Sequence, residues 1–188
     1  MQLFRIPDAL ECKITKRINR FVVEIEVEGG SERAYINNTG RLRELLFKGN
    51  RGYCIEHNKE KTKFRLFSAK ADGGFALIDT AFQMRAFEQS AVNGFLPWLK
   101  CSEFKRNAKV GISVIDYIFS GNFYLELKSA ALKVGEYAMY PDCPSERGRK
   151  HIRTLIELAE SGNKAGIVFV AGVPGVRAFK PNREPMLL

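Results

Sequence analysis

The chain has 188 residues, room for one or two small domains, and 45% of them are hydrophobic, enough for a packed core. Its 30 Lys and Arg against 21 Asp and Glu give a formal net charge of +9, which favours an acidic partner such as nucleic acid, unless the excess only aids solubility. No stretch reaches the ~18–20 apolar residues of a bilayer span, and Met1 to Leu10 lacks the features of a signal peptide, so the expected location is the cytoplasm, with no membrane partner.

Cys12, Cys54, Cys101 and Cys143 are widely spaced, and His57 and His151 are the only histidines. Without a C-x-x-C pair, zinc is not expected and the cysteines read as reduced thiols. No internal repeat is visible.

From Glu11 to Arg20, Ile14 and Ile18 interleave with Lys13, Lys16, Arg17 and Arg20. Phe21 to Glu28 alternates Val23, Ile25 and Val27 with three glutamates, the pattern of a half-buried strand. Gly29-Gly30 ends it, Arg33 to Ile36 returns, and Asn37-Asn38-Thr39-Gly40 is a turn signal. Leu42 to Phe47 reads as a short helix, and Tyr53 to Glu56 and Phe64 to Ser68 as two more strands. About five short strands with a helical insert predict a small barrel, and the pattern fits an OB or an SH3-like type. Lys61 and Lys63 lie beside Phe64 and Phe67. Single-strand binders combine such cations with stacking rings; core phenylalanines beside a solvated lysine face give the same pattern.

Ala71-Asp72-Gly73-Gly74 marks the expected boundary, dividing the chain into domains 1–71 and 72–188. Phe75 to Ile78 reads as a strand, Asp79 as an N-cap, and Thr80 to Val92 as a well-buried helix. Beyond Lys105, Arg106 and Lys109, two strands, Val114 to Phe119 and Phe123 to Lys128, flank the turn Ser120-Gly121-Asn122. Asp116 and Glu126 are equidistant from Gly121, so a hairpin sets them opposite each other, and Lys128 shares the face of Glu126. Two such carboxylates repel unless they pair or hold a metal. Asp followed by Glu-x-Lys on the next strand is similar to the metal site of restriction-endonuclease-like (PD-(D/E)xK) enzymes. Hard oxygen ligands suit Mg²⁺, and a lysine beside it can assist a water nucleophile. The same residues also fit a solvated cross-strand ion pair.

Ser145 is a good N-cap for a helix from Glu146 to Glu160, whose apolar stripe is Ile152, Leu155, Ile156 and Ala159. Arg147, Arg149, Lys150 and Arg153 crowd its N-terminus, where the macrodipole already favours anions, an arrangement that suits phosphate unless these cations form only a solvated face. Gly166 to Ala171 reads as a buried strand, and Asn182 to Leu188 as a tail or closing contact.

Glu126 to Leu132 and Tyr140 to Arg153, together with Ile36 to Arg41 and Glu60 to Phe64, closely resemble the sugar fermentation stimulation protein family. The resemblance covers nearly the whole chain. It implies an α+β architecture: an N-terminal OB-like barrel, then an α/β domain of restriction-endonuclease type, and DNA binding. It departs at Asp79, where the family has an asparagine, and at Val114, where it has an arginine. The family's extra acidic position falls on Glu103 or on Asn107, depending on alignment.

The expected function is DNA binding, single- or double-stranded, with Mg²⁺- or Mn²⁺-dependent phosphodiester hydrolysis. Asp116, Glu126 and Asp142 are the expected metal ligands, with Lys128 assisting the water. Arg17, Arg20, Arg41, Lys61, Lys63, Arg147, Arg149 and Lys150 are the expected nucleic-acid contacts. The rival is a catalytically silent DNA-binding regulator of sugar metabolism. A homo-oligomer is compatible with the sequence.

Overall fold

The computed structural model describes residues 2–59, 61–99 and 103–183. Cys101 and the tail from 184 to 188 lie outside them.

Six strands open the chain: β1 (Leu10–Arg17), β2 (Val22–Val27), β3 (Gly30–Tyr35), β4 (Arg51–Lys59), β5 (Thr62–Ala71) and β6 (Gly74–Leu77). They form one sheet in the order β3-β2-β1-β4-β5-β6. Parallel pairing of Ala34 with Phe64 and Tyr35 with Arg65 joins β3 to β5 and closes a five-stranded barrel. Inward residues alternate as the sequence pattern predicts: Ile14, Val23, Ile25, Ala34, Phe64 and Leu66 are all buried. Ala71 to Gly74, read from sequence as a boundary, is the turn of the β5–β6 hairpin, and β6 extends the barrel sheet to Leu77.

Leu42 to Phe47 does not form a helix. Leu42 lies at φ +48°, and only Leu45 and Leu46 donate back to its carbonyl, a single turn. That turn buries Leu42, Leu45 and Leu46 in the barrel's core, so the apolar spacing reflects a plug. Phe64 and Phe67 are 1% and 7% exposed; these rings are core and not a stacking platform.

Helix α1 (Thr80–Val92) follows, capped by Asp79, which accepts the Phe82 N–H. A second sheet is built from β7 (Phe104–Val110), β8 (Ser113–Phe119), β9 (Phe123–Ser129) and, later, β12 (Lys164–Val170). Its order is β12-β9-β8-β7, with β12 parallel to β9 and the other pairs antiparallel. Phe87 and Ala91 of α1 pack with Tyr117, Phe119 and Leu125 of the sheet.

Strands β10 (Leu132–Val134), β11 (Tyr137–Tyr140) and β13 (Ala178–Pro181) form a third, small sheet. Ala130, Ala131, Ala138 and Val173 belong to the same packed cluster as the barrel interior, so one core runs across both halves of the chain. Helix α2 (Glu146–Glu160) carries Ser145 as its N-cap, whose hydroxyl accepts the Gly148 N–H at 3.0 Å. Its buried face is Gly148, His151, Thr154 and Leu155, while Ile156 is exposed. The face is rotated from the apolar stripe because the sheet presents polar partners there: Thr154 bonds Ser113 at 2.9 Å and His151 bonds Glu126.

Candidate active site between the barrel and the second sheet

The β8–β9 hairpin sets Asp116 level with Glu126, one step beyond the Tyr117–Leu125 pair. The strands part there, and the carboxylates take over the ladder. Glu126 Oε2 accepts the Asp116 N–H at 3.2 Å, and Asp116 Oδ2 accepts the Leu127 N–H at 2.8 Å. Alternation turns Leu125 and Leu127 towards α1 and Glu126 and Lys128 the other way.

Glu126 is 2% exposed and surrounded by donors. Lys128 Nζ lies 2.5 Å from its Oε1, and His151 Nδ1 donates to the same oxygen. The expected repulsion between two bare carboxylates is therefore relieved on the Glu126 side. Asp116 keeps the unfavourable share: burial, then the charge of Glu126, pushes its carboxyl above the usual aspartate range.

Asp116, Glu126 and Lys128 line a cavity of about 250 Å³. Asn37 to Gly40 of the barrel form one wall, and Lys128 and Ser129 of β9 form another. Thr80 and Gln83 of α1, the Tyr140–Cys143 loop and Arg147 at the start of α2 complete the lining. Asp142 is in the same lining, and its carboxylate also touches the barrel loop. It accepts the Leu42 N–H at 3.2 Å, and it lies so close to Gly40 that a Cβ there would meet Oδ2 at 2.4 Å. Among the described residues, no three His, Cys, Asp or Glu side chains are arranged to hold a metal. The two carboxylates that lie side by side are Asp116 and Glu126. Two carboxylates suffice for Mg²⁺, which keeps several of its waters. Among the described residues, Asp116 accepts only the bond from Leu127.

The other expected residues divide. Arg147 lines the cavity, with its Nε 3.5 Å from His151 Nε2. Arg149 and Lys150 are exposed on the same turn, and Lys150 Nζ reaches the Ile112 carbonyl at 3.3 Å. Arg17 is tied into the fold: it donates to the carbonyls of Gly40, at 2.7 Å, and Arg41. Arg20 and Arg41 are exposed near it. Lys61 and Lys63 lie at the β4–β5 turn, and Lys63 pairs with Glu32 at 3.2 Å. Neither Glu103 nor Asn107 lines the cavity.

Sequence reading gave His151 no firm role, yet it makes the closest contact to Glu126. The i, i+3 spacing of Gly148, His151 and Thr154, three small or polar residues on one helical stripe, was the available signal. The sequence also leaves open what Asp79 does in place of the family's asparagine. That carboxylate holds Arg65 through two 2.5 Å contacts and accepts Asn37 Nδ2 at 3.1 Å, while Asn37 Oδ1 accepts the Thr80 N–H. The barrel loop and α1 are thereby locked together.

Comparison with known proteins places both halves. Residues 15–78 match the model described as the SfsA N-terminal OB domain, and residues 81–185 match the Sugar fermentation stimulation protein RE domain. A Sugar fermentation stimulation protein homolog of Archaeoglobus fulgidus is 56% identical over 184 residues, covering 98% of this chain and 82% of the relative. One from Pyrococcus furiosus is 43% identical over 188 residues, with the same two coverages. The solved structure of Pyrococcus furiosus SfsA in complex with Ca²⁺ superposes with a TM-score of 0.94 at 42% identity, covering 98% of this chain and 82% of that one. The barrel is thus of the OB type, followed by a mixed α/β domain, and the chain belongs to the sugar fermentation stimulation protein family.

Proposed function

We propose that the protein is a DNA-binding phosphodiesterase dependent on a divalent cation, with Asp116 and Glu126 as its metal carboxylates. The observation that carries this reading is the pair itself: two level carboxylates beside Lys128, in a cavity that Arg147 and the start of α2 also line. A relative with 42% identity was solved in complex with Ca²⁺, which supports a divalent site in this fold.

A bound Mg²⁺ or Mn²⁺ would supply charge for the developing phosphorane and a more acidic water. The protein's own groups would do the rest. Lys128 Nζ, held on Glu126, faces the cavity where it can orient a water and meet a phosphate oxygen. Arg147 would grip the phosphate, with Arg149 and Lys150 receiving the neighbouring backbone. The experiment is cleavage of a labelled oligonucleotide with Mn²⁺, comparing the natural chain with Lys128→Ala. Hydrolysis lost in the variant supports the reading; no hydrolysis by the natural chain sinks it.

One observation favours the silent DNA-binding regulator instead. Lys128 and His151 both contact Glu126 Oε1, so the carboxylate already has an ammonium partner and a ring N–H without a metal ion. On that reading DNA binding persists and the carboxylates are structural.

A further inference from the structure

We infer that His151 is a positioning residue: it aims the Arg147 guanidinium at the cavity while leaving its charge free for a phosphodiester. The inference rests on the DNA-binding half of the function proposed above. Arg147 and His151 stand one turn apart on α2, so their side chains share a face of the helix. A Cβ at Gly148 would meet Tyr140 Oη at 2.8 Å, so the first turn of α2 is seated closely on β11. The Thr154–Ser113 bond holds the next turn.

His151 is 5% exposed, and both of its ring nitrogens are engaged. Arg147 Nε donates to Nε2 at 3.5 Å, and an arginine nitrogen only donates, so Nε2 carries no proton. The proton sits on Nδ1, which donates to Glu126 Oε1. The ring is therefore the neutral Nδ1–H tautomer, with a carboxylate at one end and a guanidinium at the other.

Other arginines of the chain show what this neutral acceptor does differently. Arg65 is clamped by Asp79 through two contacts at 2.5 Å, and Arg106 by both oxygens of Glu88. Those guanidinium charges are neutralised inside the fold. Among the described residues, Arg147 has no carboxylate partner, and the one hydrogen bond of its side chain goes to the imidazole. That bond uses Nε and orients the group, while Nη1 and Nη2 keep a fork that matches two oxygens of a phosphate. Arg147 lines the cavity together with Lys128. His151 thus gives the arginine a direction without cancelling its charge, and takes its own direction from Glu126.

The test is a double-variant cycle on DNA affinity, using the full chain, a labelled oligonucleotide duplex and no metal. His151→Asn keeps an amide N–H near the position of Nδ1, so the Glu126 contact survives, but it offers Arg147 no acceptor at the place of Nε2. Arg147→Ala and His151→Asn should each weaken binding about fivefold, the scale of one phosphate contact. The double variant should also lose about fivefold, because His151 acts through Arg147; independent effects would multiply to about twenty-fivefold. A second measurement leaves the site untouched. In His57→Gln, which makes His151 the only histidine, nitrogen NMR at neutral pH should show a protonated Nδ1 and a bare Nε2. Multiplying effects, full affinity in either single variant, or a proton on Nε2 overturns the inference while leaving the DNA-binding reading intact. A closed cycle with no Mn²⁺-dependent cleavage upholds it and removes only hydrolysis from the proposed function. No binding by the natural chain overturns both.

Discussion

Asp116 and Glu126 bridge the β8–β9 hairpin reciprocally: the side chain of each accepts a backbone N–H from the other's strand. Their environments are unequal. Glu126 has Lys128 and His151, whereas Asp116 keeps a carboxyl pushed upward by burial and by Glu126.

Asp116→Asn should stabilise the metal-free protein at neutral pH. The folded-state pKa of Asp116 is raised above its ordinary value of 3.8, so the unfolded chain ionises first as pH rises. Below 3.8 the protonated group favours neither state, and stability is lost as pH climbs through the raised value. The amide can still accept the Leu127 N–H. Urea unfolding at neutral pH and at pH 3.5 checks this: a gain that shrinks on acidification is expected.

Glu126→Gln should behave in the opposite way. It removes the partner of Lys128, whose side chain is only 13% exposed, and of the buried His151. Stranding a buried cation costs about 3 kcal/mol. Denaturant unfolding at neutral pH measures the loss, and Glu126→Gln/Lys128→Met should recover part of it.

Gly40→Ala should destabilise the junction of the two domains by about 1–3 kcal/mol, the cost of overpacking a fixed contact. The added methyl meets Asp142 Oδ2 at 2.4 Å. Asp142→Ala frees that space, so the double variant should lose less than the sum of the singles. Thermal melting of the four proteins closes the cycle.

Phe64→Ala should cost about 3–5 kcal/mol by opening a cavity in the barrel core. Arg149→Ala, on an exposed helix position, should leave melting unchanged and reduce the salt dependence of DNA affinity. Binding measured at two salt concentrations separates the fold residue from the phosphate contact.

Much of the fold is legible in local pattern. The β2 alternation, the Asp79 and Ser145 caps and the mirror spacing of Asp116 and Glu126 about Gly121 are short-range signals, and the structure follows them. What fails is set by partners far away in sequence. Leu42–Leu46 has helical spacing but plugs a barrel, and the buried face of α2 turns towards Glu126 and Ser113, a rotation that a hydrophobic stripe does not encode. Ala71–Gly74 has boundary composition because tight hairpins use the same residues as linkers. At the site, the contact of Asp142 with Gly40 and Leu42 is likewise invisible in local pattern, because it depends on a loop 100 residues earlier.

The central claim, that Asp116 and Glu126 hold a catalytic divalent cation, is tested most directly by calorimetric titration with Mn²⁺. The natural chain should give a saturable isotherm that Asp116→Asn abolishes and Lys128→Ala retains, with oligonucleotide cleavage lost in both variants. No binding by the natural chain, or an isotherm that Asp116→Asn leaves unchanged, would contradict it.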